Sequence, residues 1–149
     1  MGESYTGLVQ VRPEAVDAIV AHARRDSPRE CCGLLIGNEL EVFEAVAAVN
    51  VAVDPIRNYQ VSPVDHFTQI KRCRDMASSG AAAVNVIGAS HSHPHSVPEP
   101  SPTDLDGAFG DFLYVIAGPV EGSAQLELRA YRLQVGRFTD VPLAVAGLI

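Results

Sequence analysis

The stretch HSHPHSVPEPSPTD, residues 91–104, constrains the fold of this chain more than any other. It follows AVNVIGAS at 83–90, which has the composition of a buried strand. On a strand, residues i and i+2 face the same side with Cα atoms roughly 6.5–7 Å apart, so His91 and His93 project together. On a helix the same spacing would separate them by about 200° around the axis. The pattern therefore predicts a strand that carries two converging imidazoles and is stopped by Pro94.

A third ligand can join the two histidines only if the chain turns back toward them. The proline-rich loop at 94–100 supplies such a turn, and Asp104 falls in the first turn of a helix predicted to start near Pro102. Two imidazoles and one carboxylate leave at least one coordination position open, which distinguishes catalytic zinc from closed structural zinc. A zinc ion held in this way, one per chain, lowers the pKa of a bound catalytic water toward ~7 and polarises a carbonyl. The residues alone therefore predict metal-assisted hydrolysis.

The same residues allow other interpretations. An H-x-H pair occurs by chance in many proteins, and SPTD taken alone is a helix cap. The near copy SPVD at 62–65 has no histidine cluster upstream, so Ser62 and Asp65 are predicted to act only as caps. A capped helix start is nevertheless a rigid place for a ligand, so capping and chemistry can coexist at 101–104. Two histidines and a carboxylate can also bind Fe(II) for oxygen chemistry, although this residue order is not the usual one.

The other three histidines are predicted to lie outside any metal site. Pro94 breaks the strand alternation before His95, which favours a position in solvent or behind the ligands. His22 and His66 fall in predicted helices without a partner pattern.

The composition predicts a single cytoplasmic domain spanning residues 1–149. Apolar residues make up 47% and charged residues 19%, an ordinary globular balance. The formal charge of −7 argues against nucleic acid or an anionic membrane as partner. No stretch approaches the ~18 apolar residues of a membrane span, and no basic-then-apolar leader opens the chain. Three cysteines without a C-x-x-C pair argue against a disulfide framework or a cysteine zinc site and fit a reducing compartment.

Periodicity and turn residues predict the order β-α-β-β-α-β-α-β-β-β. The predicted strands are 8–11, 31–37, 41–51, 83–93, 112–118, 126–133 and 137–143. The predicted helices are 13–25, 62–80 and a short one starting near Pro102. Each long helix has apolar residues at helical spacing: Val16, Ile19, Val20 and Ala23 in the first, and Phe67, Ile70, Cys73 and Ala77 in the second. This order favours an α/β sandwich, a mixed and largely curved sheet with helices packed against it.

Taken together, His-Ser-His-Pro, six residues, Ser101, two residues and Asp104 form a specific string. It resembles the JAMM (MPN+) metalloprotease motif, H-[ST]-H-P-x6-S-x2-D, at every fixed position. SPRECCGLLIG at 27–37 is similar to a segment of small bacterial members in which an acidic residue precedes a Cys-Gly-Leu-Leu strand. NYQVSPVDHF at 58–67 resembles the segment that opens their central helix. The resemblance spans roughly residues 8–135 and implies the cytidine-deaminase-like JAB1/MPN sandwich, a mixed curved β-sheet flanked by helices.

The resemblance also assigns roles to five residues. His91, His93 and Asp104 match the zinc ligands of the family, and Glu30 matches its catalytic acidic residue. Ser101 matches the serine that helps to hold the oxyanion. Without the resemblance, Glu30 would be predicted to be an ordinary surface glutamate.

The resemblance also implies a class of substrate. Members of the family cleave amide or isopeptide bonds after the C-terminal Gly-Gly of ubiquitin or ubiquitin-like proteins. The compact chain looks like the stand-alone prokaryotic branch, which implies a ubiquitin-like or sulfur-carrier protein, or a small peptide, as substrate. Two alternatives stay open: a hydrolase of phage-tail or cell-wall peptides, and a non-catalytic MPN-type interaction scaffold, against which the retained ligands argue.

Overall fold

Eight strands and three helices make up the part of the chain that the computed structural model describes, residues 7–80, 83–108, 112–121 and 123–145. The strands are β1 (Val9–Val11), β2 (Cys32–Gly37), β3 (Glu41–Ala48), β4 (Asn85–Ser92), β5 (Leu113–Pro119), β6 (Leu126–Gln134), β7 (Arg137–Val141) and β8 (Leu143–Val145). The helices are α1 (Pro13–Asp26), α2 (Pro63–Ser78) and α3 (Pro102–Asp106).

The strands form one mixed sheet that nearly closes on itself. Its order is β7-β6-β5-β4-β2-β3-β1-β8. The central strand β4 is antiparallel to β2 and parallel to β5. β7 and β8 occupy the two ends of this order, yet only Pro142 separates them in the chain. The sheet must therefore curve until its two edges approach one another, which confirms the mixed, curved sheet expected from the sequence.

The single strand predicted at 137–143 is wrong, because Pro142 divides it into β7 and β8. Proline has no backbone N–H to donate to a strand ladder, whereas the Pro142 carbonyl accepts the Val9 amide N–H at 3.0 Å. β7 pairs with β6, and β8 pairs in parallel with β1. The change of partner at Pro142 brings the two edges of the sheet together.

Helix α1 covers the largest group of buried side chains. Its buried residues are Ala15, Ile19 and Ala23, while Val16 and Val20 are half-buried, so the predicted apolar face is confirmed. Removing these apolar side chains from water is the main force that holds the helix on the sheet. The strand residues buried with it include Val9, Val11, Leu35, Val42, Leu113 and Val115.

The start and end of α2 follow the sequence prediction. The Ser62 hydroxyl accepts the Asp65 amide N–H at 3.3 Å, as an N-cap should. Gly80 has a φ of +88°, the left-handed conformation in which glycine commonly ends a helix.

The predicted buried face of α2 is wrong. Only Cys73 of that face is buried, and the other three residues are exposed: Phe67, Ile70 and Ala77. The helix instead packs through Cys73 and the half-buried Met76 against Ile36 of β2. Apolar residues occur on more than one side of α2, so their spacing alone did not decide which side meets the sheet.

Two strand ends near the histidines differ from the prediction. β3 stops at Ala48, and Asn50 forms an isolated antiparallel bridge with Val61 instead of continuing the strand to residue 51. β4 stops at Ser92, but the His93 amide N–H still donates to the Ala117 carbonyl at 2.8 Å. The backbone at His93 therefore continues in the direction of β4, so the His93 side chain faces the same side as that of His91.

Among the described helices, none is both long and apolar enough to cross a bilayer. The three cysteines are free and buried: Cys31, Cys32 and Cys73.

Candidate metal centre

Three side-chain donor atoms from two separate elements meet in a nearly equilateral triangle. His91 Nε2 lies 3.2 Å from His93 Nε2 and 3.3 Å from Asp104 Oδ2, and His93 Nε2 lies 3.2 Å from Asp104 Oδ2. A tetrahedral zinc ion with bonds of about 2.0–2.1 Å spaces neighbouring ligand atoms by about 3.3–3.4 Å. The three atoms thus fit one face of such a tetrahedron and leave its fourth vertex open.

The orientation of His93 is fixed by the loop that follows it. His93 Nδ1–H donates to the Val97 carbonyl at 2.9 Å, so the lone pair on Nε2 faces the other two donor atoms. The loop is itself held down, because the Tyr131 hydroxyl donates to the Pro98 carbonyl at 2.7 Å. Gly118 allows the close approach, since a Cβ there would lie 2.7 Å from the Ser96 carbonyl oxygen. The loop thus returns the chain toward α3, as the sequence predicted.

Asp104 reaches the triangle from the capped start of α3. The Ser101 amide N–H donates to Asp104 Oδ2 at 2.9 Å, and the Ser101 hydroxyl accepts the Asp104 amide N–H at 3.1 Å, which together form a capping box. Burial by itself would raise the pKa of Asp104, but the contacts of its carboxylate with the His91 and His93 imidazoles and with the Ser101 amide N–H hold this pKa well below its usual range. The centre therefore contains a fixed negative charge next to two imidazoles, a donor set suited to a divalent cation.

Glu30 stands beside the triangle, just before β2. A carboxylate oxygen of Glu30 and one donor atom from each of the other three residues all lie within 4.8 Å of one another. Glu30 is only 8% exposed, and its Oε1 has no hydrogen-bond partner among the described residues. Burial raises the pKa of Glu30 to about 7, with His93 lowering it and the charge of Asp104 raising it further. A carboxyl group with such a pKa can take up and release a proton near neutral pH.

Ser101 forms the cap of α3. Its hydroxyl oxygen accepts the Asp104 amide N–H, a bond that does not use the hydroxyl hydrogen. The side chain is half-buried at the edge of the centre. All five residues singled out in the sequence are thus brought to one place, whereas Ser62 caps α2 elsewhere. The prediction that Asp65 is also a cap is wrong, because its carboxylate accepts the Val49 amide N–H and, among the described residues, no N–H of the helix start.

Asn50 contributes to this site, and the sequence analysis did not identify it. Its side-chain Nδ2 donates to the Glu30 carbonyl at 2.9 Å and to the Asn58 carbonyl at 3.0 Å. Its Oδ1 accepts the amide N–H groups of Ala52 and Gln60, both at 3.0 Å. Asn50 therefore ties the backbone of Glu30 to the loop before α2. A lone asparagine after a strand predicts only a turn, so no sequence pattern pointed to this role.

We expect Asn50→Ala to lower the free energy of unfolding by about 1–3 kcal/mol, because two partly buried carbonyls lose their donor and two amide N–H groups lose their acceptor. Urea unfolding of the chelator-treated protein measures this. Asn38→Ala is the matched control, since the Asn38 side chain accepts two backbone N–H groups at an exposed turn. The control should cost clearly less, and equal losses for the two variants would contradict the structural role of Asn50.

Tyr59 is the second residue that the sequence analysis missed. Its ring stacks on the His91 imidazole with centroids 4.1 Å apart and planes inclined by 17°. Tyr59 also lines a largely apolar cavity of about 480 Å³ beside Asp104, together with Leu34, His66, Phe112 and Tyr114. The cavity thus adjoins the centre on the side of Asp104.

The chain is similar over most of its length to a known protein family and to named relatives. Residues 12–134 match the family described as prokaryotic homologs of the JAB domain. The CysO-cysteine peptidase of Mycobacterium tuberculosis is 32% identical over 142 residues, which cover 93% of this chain and 91% of that protein. The desampylase of Haloferax volcanii is 33% identical over 113 residues, which cover 71% of this chain and 77% of that protein.

Solved structures agree on the fold. The solution structure of a Desulfitobacterium hafniense protein has a TM-score of 0.72 and 23% identity, and the match covers 95% of this chain and 94% of that one. The crystal structure of a JAB1/MPN domain protein from Archaeoglobus fulgidus has a TM-score of 0.55 and 18% identity, and the match covers 91% of this chain and 98% of that one. At these identities the likeness concerns the fold alone, and it confirms the JAB1/MPN sandwich.

Proposed function

The chain belongs to the prokaryotic JAB family, and on that premise we propose that it is a zinc-dependent metallopeptidase. It hydrolyses an amide or isopeptide bond that follows the C-terminal Gly-Gly of a ubiquitin-like or sulfur-carrier protein. The observation that carries the proposal is the triangle of His91, His93 and Asp104 donor atoms with Glu30 beside it. The names of the relatives, a peptidase and a desampylase, support a hydrolase.

Each of the five residues has a role in this reaction. His91, His93 and Asp104 would hold the zinc ion, which when bound polarises a carbonyl and lowers the pKa of a water molecule. Glu30 takes a proton from the attacking water as general base, and then delivers it to the leaving amine as general acid. The Ser101 hydroxyl donates to the carbonyl oxygen as that oxygen becomes negative. The fixed capping box at α3 means that Ser101 and Asp104 need not rearrange during the reaction.

The burial of the three ligand side chains favours a substrate whose chain is narrow at the scissile bond. His91 is 1%, His93 6% and Asp104 7% exposed, so a scissile carbonyl can approach them only on a narrow segment of chain. Glycine has no side chain and allows the closest approach of a backbone. A Gly-Gly tail meets this requirement, and the name CysO-cysteine peptidase supports cysteine as one leaving group.

The cytoplasm is the compartment we propose for this activity. Burial raises the pKa of the Cys32 thiol to about 12, so it stays protonated and unreactive, and all three cysteines are free. Free buried thiols are usual where the surroundings are reducing.

The test is cleavage of a sulfur-carrier protein whose Gly-Gly terminus is extended by one cysteine, followed by mass spectrometry. We expect loss of the added residue with the zinc-loaded protein, no loss after chelation, and recovery when zinc is returned. A carrier ending in Ala-Ala before the added cysteine is the matched control and should stay intact. Cleavage that survives chelation would contradict the metal-dependent mechanism, and equal cleavage of both carriers would contradict the Gly-Gly requirement.

A further inference from the structure

The two histidines of the centre are held in different ways. His93 Nδ1–H donates to the Val97 carbonyl at 2.9 Å, the usual means by which a ligating imidazole is oriented. His91 Nδ1 is buried and has no hydrogen-bond partner among the residues that the structure describes. The torsion that turns an imidazole about its Cβ–Cγ bond is broad. Some other contact must therefore keep Nε2 of His91 directed at the centre.

The Tyr59 ring provides that contact. It lies face to face with the His91 imidazole, with centroids 4.1 Å apart and planes inclined by 17°. A turn of the imidazole out of this plane would drive its edge into the tyrosine ring. We propose that Tyr59 is a positioning residue, which orients His91 for metal binding by stacking where a hydrogen bond is missing. The inference rests on the metal site of the proposed function.

Tyr59 can act in this way because its own backbone is fixed on both sides. The carbonyl of Asn58 accepts a hydrogen bond from Asn50 Nδ2 at 3.0 Å, and the amide N–H of Gln60 donates to Asn50 Oδ1 at 3.0 Å. The Val51 amide N–H also donates to the Gln60 carbonyl at 2.9 Å. A side chain that orients a ligand is effective only when its own support is rigid. Asn50 gives Tyr59 this support and, through the Glu30 carbonyl, connects it to the general base.

Phe112 offers a matched control in the same cavity. It lines the cavity with Tyr59, but its ring pairs with His66 and Tyr114, at centroid distances of 6.0 and 6.1 Å. Replacing either ring by leucine removes an aromatic side chain from the cavity wall. Only the change at Tyr59 removes the ring stacked on a ligand.

The experiment measures the zinc dissociation constant by competition with a chromophoric chelator. We expect Tyr59→Leu to weaken zinc binding by about tenfold or more, the range found when a group that orients a ligand is lost. Tyr59→Phe keeps the stacked ring and should bind zinc as the wild type does, and so should Phe112→Leu. The visible spectrum of the cobalt-loaded proteins provides a second measurement, because a misoriented His91 changes the coordination geometry and hence the absorption.

Thermal unfolding of the metal-free variants shows whether a loss of zinc affinity follows from a loss of folding. If Tyr59→Leu does not fold, Tyr59→Met, whose unbranched side chain fills a cavity more easily, takes its place. Wild-type affinity in the non-aromatic variant would overturn the proposal, as would an equal loss in Phe112→Leu. An equal loss in Tyr59→Phe would assign the effect to the hydroxyl and would also overturn stacking. A wild type that binds no zinc would instead contradict the proposed function itself.

Discussion

Glu30→Gln is expected to lower the rate of cleavage by about 10²–10⁴-fold while the protein still binds zinc. Glutamine keeps the shape of the side chain but cannot accept a proton, so the attacking water loses its base and the leaving amine loses its acid. The ligand triangle of His91, His93 and Asp104 does not include Glu30 and should be preserved. The expected result is therefore a large fall in kcat with a nearly unchanged zinc dissociation constant.

Single-turnover cleavage of the cysteine-extended carrier and zinc titration on the same preparations measure the two quantities. Glu39→Gln is the matched control, because Glu39 is an exposed glutamate on the turn after β2 and its loss should change neither value. If Glu30→Gln kept wild-type turnover, Glu30 would not be the general base. If it lost zinc, Glu30 would have to be counted among the ligands.

Asp104→Ala is expected to weaken zinc binding by more than about 100-fold, since even groups that only support a ligand are worth 10–100-fold. The substitution removes the charged member of the triangle and leaves two imidazoles. It also removes one half of the capping box of α3, so loss of the cap must be separated from loss of the ligand.

The chain contains a control for that separation. Asp65 occupies the same position in SPVD at the start of α2, where its amide N–H donates to the Ser62 hydroxyl and its carboxylate accepts the Val49 amide N–H at 2.8 Å. The cap of α2 is therefore the Ser62 hydroxyl, and Ser62→Ala should destabilise a helix start without changing zinc affinity, as measured by chelator competition. Equal zinc affinity in Asp104→Ala and the wild type would remove Asp104 from the ligand set.

The sequence predicted the site best where the geometry of a short stretch of backbone allows only one arrangement of the side chains. The alternation of a strand determines that His91 and His93 share a face, and the proline loop and SPTD cap return Asp104 to them. Structure and sequence agree there because each step involves neighbours in the chain. Glu30 is different, since it comes from the start of another strand, β2, and its buried carboxylate could be placed only through the resemblance to a family.

Features that depend on contacts between distant residues were not predictable. The exposed side of α2 was misassigned because Phe67 and Ile70 have the spacing of a buried face. Pro142 changes the partner of its strand only because the sheet closes, which is a property of the whole sheet. Asn50 and Tyr59 act on Glu30 and His91 across loops, and a single asparagine or tyrosine in a loop has no diagnostic pattern.

The measurement that tests the central claim most directly is the zinc content of protein purified without chelator or affinity-tag histidines. Native mass spectrometry of the wild type should show one zinc ion per chain. A double variant, His91→Ala with His93→Ala, should show none while keeping the far-ultraviolet circular dichroism of the wild type. A wild type that binds no zinc even when zinc is supplied, or a double variant that binds zinc as well as the wild type, would contradict the assignment of a zinc-dependent peptidase.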